Sequence, residues 1–138
     1  MEWHVYGRLG MLIGLRDRID AQGPGVLQVY EDPAPATLGA QPSVPPLIEV
    51  PLPVPCATIA QAGPLATDLA IMTLIVPNSV FVMVAGQVAW AQVLSADGTT
   101  VIRGRAGLAT DDPTPDFIVT DRLVFVGGEV SVTGTFVL

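Results

Sequence analysis

The sequence predicts a mainly β domain: a β-sandwich or jelly-roll-like antiparallel body with one short N-terminal helix and a proline-rich extended arm. Three observations lead there. Residues 87–138 form an almost uninterrupted series of short β-rich segments separated by turn formers. Asp97-Gly98 lies between two of these segments and carries a strong hairpin signal. Residues 129–138 alternate, with Val130, Val132, Phe136 and Leu138 on one face and Glu129, Ser131, Thr133 and Thr135 on the other, the pattern of a strand with one wet face.

The 138 residues suffice for one domain with its own core. It divides into a helix and turn (1–25), a strand (26–32), a proline-rich arm or loop (33–55) and a sandwich body (56–138). Over residues 5–21, Leu9, Leu12, Ile13, Leu15 and Ile19 recur between Arg8, Arg16, Asp17, Arg18 and Asp20, an amphipathic helical pattern. Gly10 and Gly14 each cost about 1 kcal/mol of helix propensity against Ala. They read either as tolerated on a surface or as points where another backbone approaches. Gly23-Pro24-Gly25 ends the helix.

Val26-Leu27-Gln28-Val29-Tyr30 reads as a strand. Eight prolines between positions 33 and 55 remove ladder donors. The segment therefore reads as an extended arm or edge, partly polyproline II, laid over the body or a neighbouring subunit, or else as a long ordered loop. Residues 69–76 suit a strand buried on both faces, and Val80-Phe81-Val82-Met83-Val84 suits a second core strand. A strand over 87–94 and its partner from Thr100 flank the Asp97-Gly98 turn. A polar surface loop over 111–116 follows, then strands at 117–120 and 123–126, a hairpin at Gly127-Gly128 and the alternating final strand. Seven or eight strands result.

Composition narrows the function classes. Half the residues are hydrophobic and 14% are charged, so the surface exposes apolar groups of the kind that find partners. Net charge is −7 and all six cations are scattered Arg, which excludes phosphate neutralisation and hence nucleic-acid binding. No apolar stretch approaches the roughly 20 residues of a membrane helix, and Glu2 with Arg8, Arg16 and Arg18 interrupts any secretory signal. The chain reads as soluble where it is made. Lone Cys56, among apolar neighbours, reads as a buried inert thiol.

Little in the sequence points to catalysis. The one histidine, His4, reads as a surface residue, and a single His with a single Cys is too few for a zinc centre. Asp111, Asp112 and Asp116 match no calcium-loop spacing and read as a solvated turn, as do Glu31-Asp32. Neither Gly10-x-x-x-Gly14 nor Gly127-Gly128 has the context of a phosphate loop. Ser79 and Ser95 lack a nearby histidine for a triad. The expectation is a non-enzymatic protein with no cofactor and no metal. Interface candidates are Trp90 as a core or interface anchor, Arg103 and Arg105 on one strand face where a partner's carboxylates could pair with them, and Pro45, Pro46, Pro51 and Pro53 of the arm.

Taken in order, the helix, Val26-Leu27-Gln28-Val29-Tyr30-Glu31-Asp32-Pro33, Trp90-Ala91-Gln92-Val93, Asp97-Gly98-Thr99-Thr100-Val101, Gly104-Arg105-Ala106-Gly107 and Val126-Gly127-Gly128-Glu129-Val130-Ser131-Val132 resemble a family of small tailed-bacteriophage structural proteins. The chain departs from that pattern at Glu31-Asp32-Pro33 and in the length of its proline-rich stretch. The resemblance implies a virion component made in the host bacterial cytoplasm. Its partners would be other virion proteins and further copies of itself, trimers being natural. Placement at the tail tip, baseplate or fibre attachment stands beside capsid decoration. Outside the virion, a carbohydrate-binding sandwich is a third expectation, with a glycan as ligand of exposed aromatics.

Overall fold

A computed structural model of the chain describes residues 4–65 and 68–138. Helix α1 (Val5–Asp20) is followed by β1 (Val26–Tyr30), β2 (Ile48–Pro51), β3 (Ala57–Ala62), β4 (Leu69–Leu74), β5 (Val80–Phe81), β6 (Gly86–Gln87), β7 (Trp90–Leu94), β8 (Thr100–Gly107), β9 (Phe117–Val119), β10 (Leu123–Val124), β11 (Glu129–Val130) and β12 (Val132–Val137). Eight of these strands make one sheet in the order β2-β1-β7-β8-β9-β12-β4-β3. All its pairings are antiparallel except β8 with β9. The sheet curls on itself, giving the mainly β, sandwich-like body that the sequence predicts.

The core lies inside this curl. Leu27, Val29, Ile48, Val50, Ala91 and Val93 enter it from one half of the sheet, and Ala70, Met72, Leu74, Phe117, Val119 and Val132 from the other. Phe117 meets Phe136 edge to face at 5.5 Å. Helix α1 adds Leu12 and Ile19 to the same cluster. Val5, Leu12 and Ile19 recur every seven residues and so form one buried stripe. Ile13 lies off that stripe and is exposed. A Cβ at Gly10 or Gly14 would meet nothing within 4 Å, so these glycines are tolerated on a surface and admit no second backbone. His4 caps the helix through Nδ1, which accepts from the Tyr6 N–H at 3.2 Å. At the other end Asp20 Oδ2 accepts from the Cys56 N–H at 3.3 Å and ties the helix to the start of β3.

The edge reading of the proline-rich stretch holds for part of it, while other expectations need correction: β2 pairs with β1 from Val26↔Pro51 to Val29↔Ile48, and Leu47, Ile48, Val50 and Leu52 are buried. Pro51 is tolerated there because an edge strand has one unpaired side. β4 is buried on one face only: Ala70, Met72 and Leu74 face the core while Leu69 is exposed and Ile71 half-buried. Of residues 80–84 only Val80 and Val82 are core; Phe81 and Met83 project outward. The strand expected over 87–94 starts at Trp90, and Gly86–Gln87 pairs separately with β10. Gly127, at φ 81°, does turn the chain, with Gly128 N–H donating to Phe125 O at 2.9 Å. That turn is no hairpin, because β10 pairs with β6 and β11 with β5.

The Asp97-Gly98 hairpin forms as predicted. Gly98 takes φ 85°, and Asp97 Oδ1 accepts from the Thr99 N–H at 3.0 Å and from the Ser95 hydroxyl. These bonds hold the Asp97 carboxyl down at about 2, the Ser95 hydroxyl contributing most. The polar loop over 111–116 lies in the connection between β8 and β9, which pair in parallel. Asp111 accepts from the Leu108 N–H at 2.9 Å and pairs with Arg122, while Asp116 Oδ2 accepts from the Arg105 N–H at 3.1 Å.

Candidate interaction site

Strand β7 has no exposed face, although it carries the polar Gln92. Ala91 and Val93 enter the core, and Trp90 and Gln92 on the opposite face are buried as well. Arg103 meets both of them and binds part of the proline-rich segment, and the register of four strands explains how it is held. Glu49, Gln28, Gln92 and Arg103 are successive cross-strand partners on β2, β1, β7 and β8. Their side chains form a continuous row. Gln28 Nε2 donates to Glu49 Oε2 at 3.0 Å, Gln92 Nε2 donates to Gln28 Oε1 at 2.9 Å, and Arg103 Nη2 donates to Gln92 Oε1 at 2.7 Å. The Arg103 guanidinium continues to the carbonyls of Thr37 at 2.8 Å and Ala40 at 3.0 Å, clamping residues 37–40 to the sheet. It also lies 5.0 Å from the Trp90 ring centroid, a cation–π distance.

Trp90 stacks on Tyr30 at 4.5 Å and donates from Nε1 to Glu31 O at 2.9 Å. Burial, followed by the neighbouring Glu49 carboxylate, pushes the Tyr30 phenol up. The site residues expected from sequence therefore separate. Trp90 and Arg103 are engaged inside their own chain and are not presented to a partner's carboxylate or a sugar. Arg105 is exposed and lines a polar cleft of about 520 Å³ with Glu31, Asp32, Gln87, Asp111 and Arg122. There the Arg122 guanidinium, then the Leu108 N–H, holds Asp111 below the usual carboxylate range. Pro45 is exposed and lines an apolar hollow of about 460 Å³ with Pro33, Pro35, Pro42, Val44 and Leu47. Pro46 is half-buried, while Pro51 and Pro53 are exposed at the β2 edge.

The structure exposes a different surface, absent from the expected set. β5 and β11 pair at Glu129↔Phe81 and Val130↔Val80, and Val82 exchanges bonds with the Gly127-Gly128 turn at 3.1 and 2.9 Å. Burying Val80 and Val82 forces their neighbours outward, since side chains alternate along extended backbone. Phe81 is 67% exposed, Met83 55%, Phe125 64% and Val126 68%, all on or beside this short ladder. Leu123 on β10 is exposed too. The signal was present in the sequence: Phe125 and Val126 run directly into Gly127-Gly128 with no polar residue between them.

Cys56 is buried, and its thiol is pushed up to about 12 by burial and then by the Asp20 carboxylate. Ser95 is buried and spends its hydroxyl in the hairpin turn. Among the described residues no three His, Cys, Asp or Glu side chains converge as metal ligands, and no helix is long and apolar enough to cross a membrane. No protein-family model, curated protein or solved structure matches the chain.

Proposed function

We propose that this chain is a non-catalytic assembly subunit that works by seating the apolar flap of Phe81, Met83, Phe125 and Val126 on a neighbouring protein. The observation that carries this reading is the exposure of four large apolar side chains on a ladder fixed by main-chain bonds to Val82. Such patches on a folded domain mark protein–protein contact surfaces, and aromatic residues with Met are the anchors of interface centres. The ordered motifs that resemble small tailed-bacteriophage structural proteins supply the setting: a virion component docked at the tail tip, baseplate or fibre attachment, among other virion proteins.

The test is incorporation. Particles produced with Phe81→Ser plus Phe125→Ser are expected to lack the protein although the variant folds, and mass spectrometry of separated heads and tails is expected to find the wild-type chain in tails. Normal incorporation of the double variant overturns the docking role of the flap. Detection in heads alone replaces the tail by capsid decoration.

A further inference from the structure

The two ends of the eight-stranded sheet are built differently. β2 is four residues long, carries Glu49 and ends at Pro51, with Pro53 close behind. Charge and missing N–H donors are features that prevent an edge from accepting another strand. β3, at the opposite end, reads Ala-Thr-Ile-Ala-Gln-Ala, with no charge and no proline.

The register shows which main-chain groups of β3 are unpaired. Ala70 of β4 and Leu138 exchange both bonds at 3.0 Å, so Ala70 turns its main chain toward the β12 side. Alternation then turns Leu69, Ile71 and Thr73 toward β3, where their partners are Ala62, Ala60 and Thr58. Ile75 N–H donating to Cys56 O at 2.8 Å continues the same phase. Ile59 and Gln61 therefore point their N–H and C=O groups away from the sheet, and among the described residues none bonds to them.

We propose that β3 pairs antiparallel with β3 of a second copy of this chain, about a twofold axis at Ala60. Ile59 of each copy then exchanges both main-chain bonds with Gln61 of the other, Ala60 faces Ala60, and Thr58 faces Ala62. Three features select a second copy. With a net charge of −7, two copies repel each other over most of their surfaces, and β3 offers an uncharged edge where they can meet. At a non-hydrogen-bonded pair the Cα atoms approach to about 4.5 Å, which small Ala60 side chains permit. The guarded β2 edge blocks head-to-tail addition, so pairing closes at two copies. This surface is separate from the flap, and the inference holds whatever the flap binds.

The experiment uses the full chain in solution. Sedimentation velocity is expected to show a dimer. Under mild oxidation Ala60→Cys is expected to form a disulfide-linked dimer, because the axis brings its two Cβ atoms within bridging distance. Thr58→Cys or Ala62→Cys alone is not expected to cross-link, whereas the two mixed are. Gln61→Pro removes an outward donor and spares the bonds to β4. It is expected to keep the wild-type circular dichroism spectrum and to weaken dimerisation at least tenfold. Phe81→Ser is expected to leave the dimer intact, which separates this edge from the flap. A monomer at all concentrations, a dimer that fails to cross-link at Ala60, or an undiminished Gln61→Pro dimer overturns the proposal.

Discussion

Gln92 and Arg103 sit opposite each other on β7 and β8, and the guanidinium meets the Gln92 amide oxygen twice, from Nε at 3.2 Å and from Nη2 at 2.7 Å. Gln92 is fully buried, so this oxygen has no water to fall back on. The same guanidinium holds Thr37 and Ala40, and one side chain thus satisfies a buried amide and fastens part of the proline-rich segment.

Arg103→Ala is accordingly expected to destabilise the chain by about 1–3 kcal/mol, the usual cost of an unsatisfied buried polar group. It should also open residues 33–46 to limited proteolysis. Urea unfolding with mapping of the first cleavage checks both effects. Arg103→Lys is expected to rescue little, because an ammonium cannot reach three acceptors in the guanidinium's planar fork.

Gly25 marks a close approach of backbone. A Cβ there would lie 2.6 Å from Leu94 O and 2.7 Å from Ile19 Cγ2, and neither the β7 carbonyl nor the helix stripe can withdraw freely. Gly25→Ala is expected to cost about 1–3 kcal/mol, as overpacking does, read from the denaturation midpoint.

The depressed carboxyls set the acid limb of stability. Asp97 is held at about 2 against an ordinary 3.8, and Asp111 is shifted in the same direction. A lowered folded value stabilises above the unfolded one, so that contribution is present above pH 4 and disappears as pH falls toward 2. Asp97→Asn is expected to flatten this limb in part, and Asp97→Asn with Asp111→Asn further, in unfolding curves taken across that window.

Cys56 sets an alkaline limb with the opposite sign. Its thiol is raised from 9.0 to about 12, so the stabilisation it provides is complete below pH 9 and is lost as pH climbs toward 12. Tyr30, also raised, adds to the loss in the upper part of that range. Cys56→Ala is expected to remove the portion that begins near pH 9. At pH 8 a thiol reagent is expected to label the native wild-type chain no faster than it unfolds.

How much of this was legible in the sequence depended on whether the determining pattern was local. The helix, β1 and the Asp97-Gly98 turn follow from neighbours along the chain, and each was predicted close to its observed place, whereas the single alternating strand expected over 129–138 is divided into β11 and β12, with Val130 and Val132 buried and Leu138 exposed. Residues 80–84 failed because an apolar run carries no information about how many of its faces will be covered; Phe81 and Met83 are exposed because only Val80 and Val82 find the core. Gln92 carried no signal of its own in the sequence, standing as one residue of a β-rich segment. The guanidinium that meets its buried amide is held by the carbonyls of Thr37 and Ala40, more than sixty positions from Arg103, and no periodicity reports such a pairing. The role of Arg103 was missed for the same reason, since a guanidinium on a strand says nothing about which carbonyls will fold over it.

The polar row from Glu49 through Gln28 and Gln92 to Arg103 also bears on how the strands choose their alignment. If β8 slipped one residue against β7, Gly104 or Ile102 would stand opposite Gln92, and the amide would be sealed away without a donor. Apolar residues tolerate such errors because one methyl group substitutes for another, whereas hydrogen-bond donors and acceptors have to meet. The row thus works as a vernier: the four strands can lock only where every polar mark coincides, and misaligned forms are left with unsatisfied buried groups.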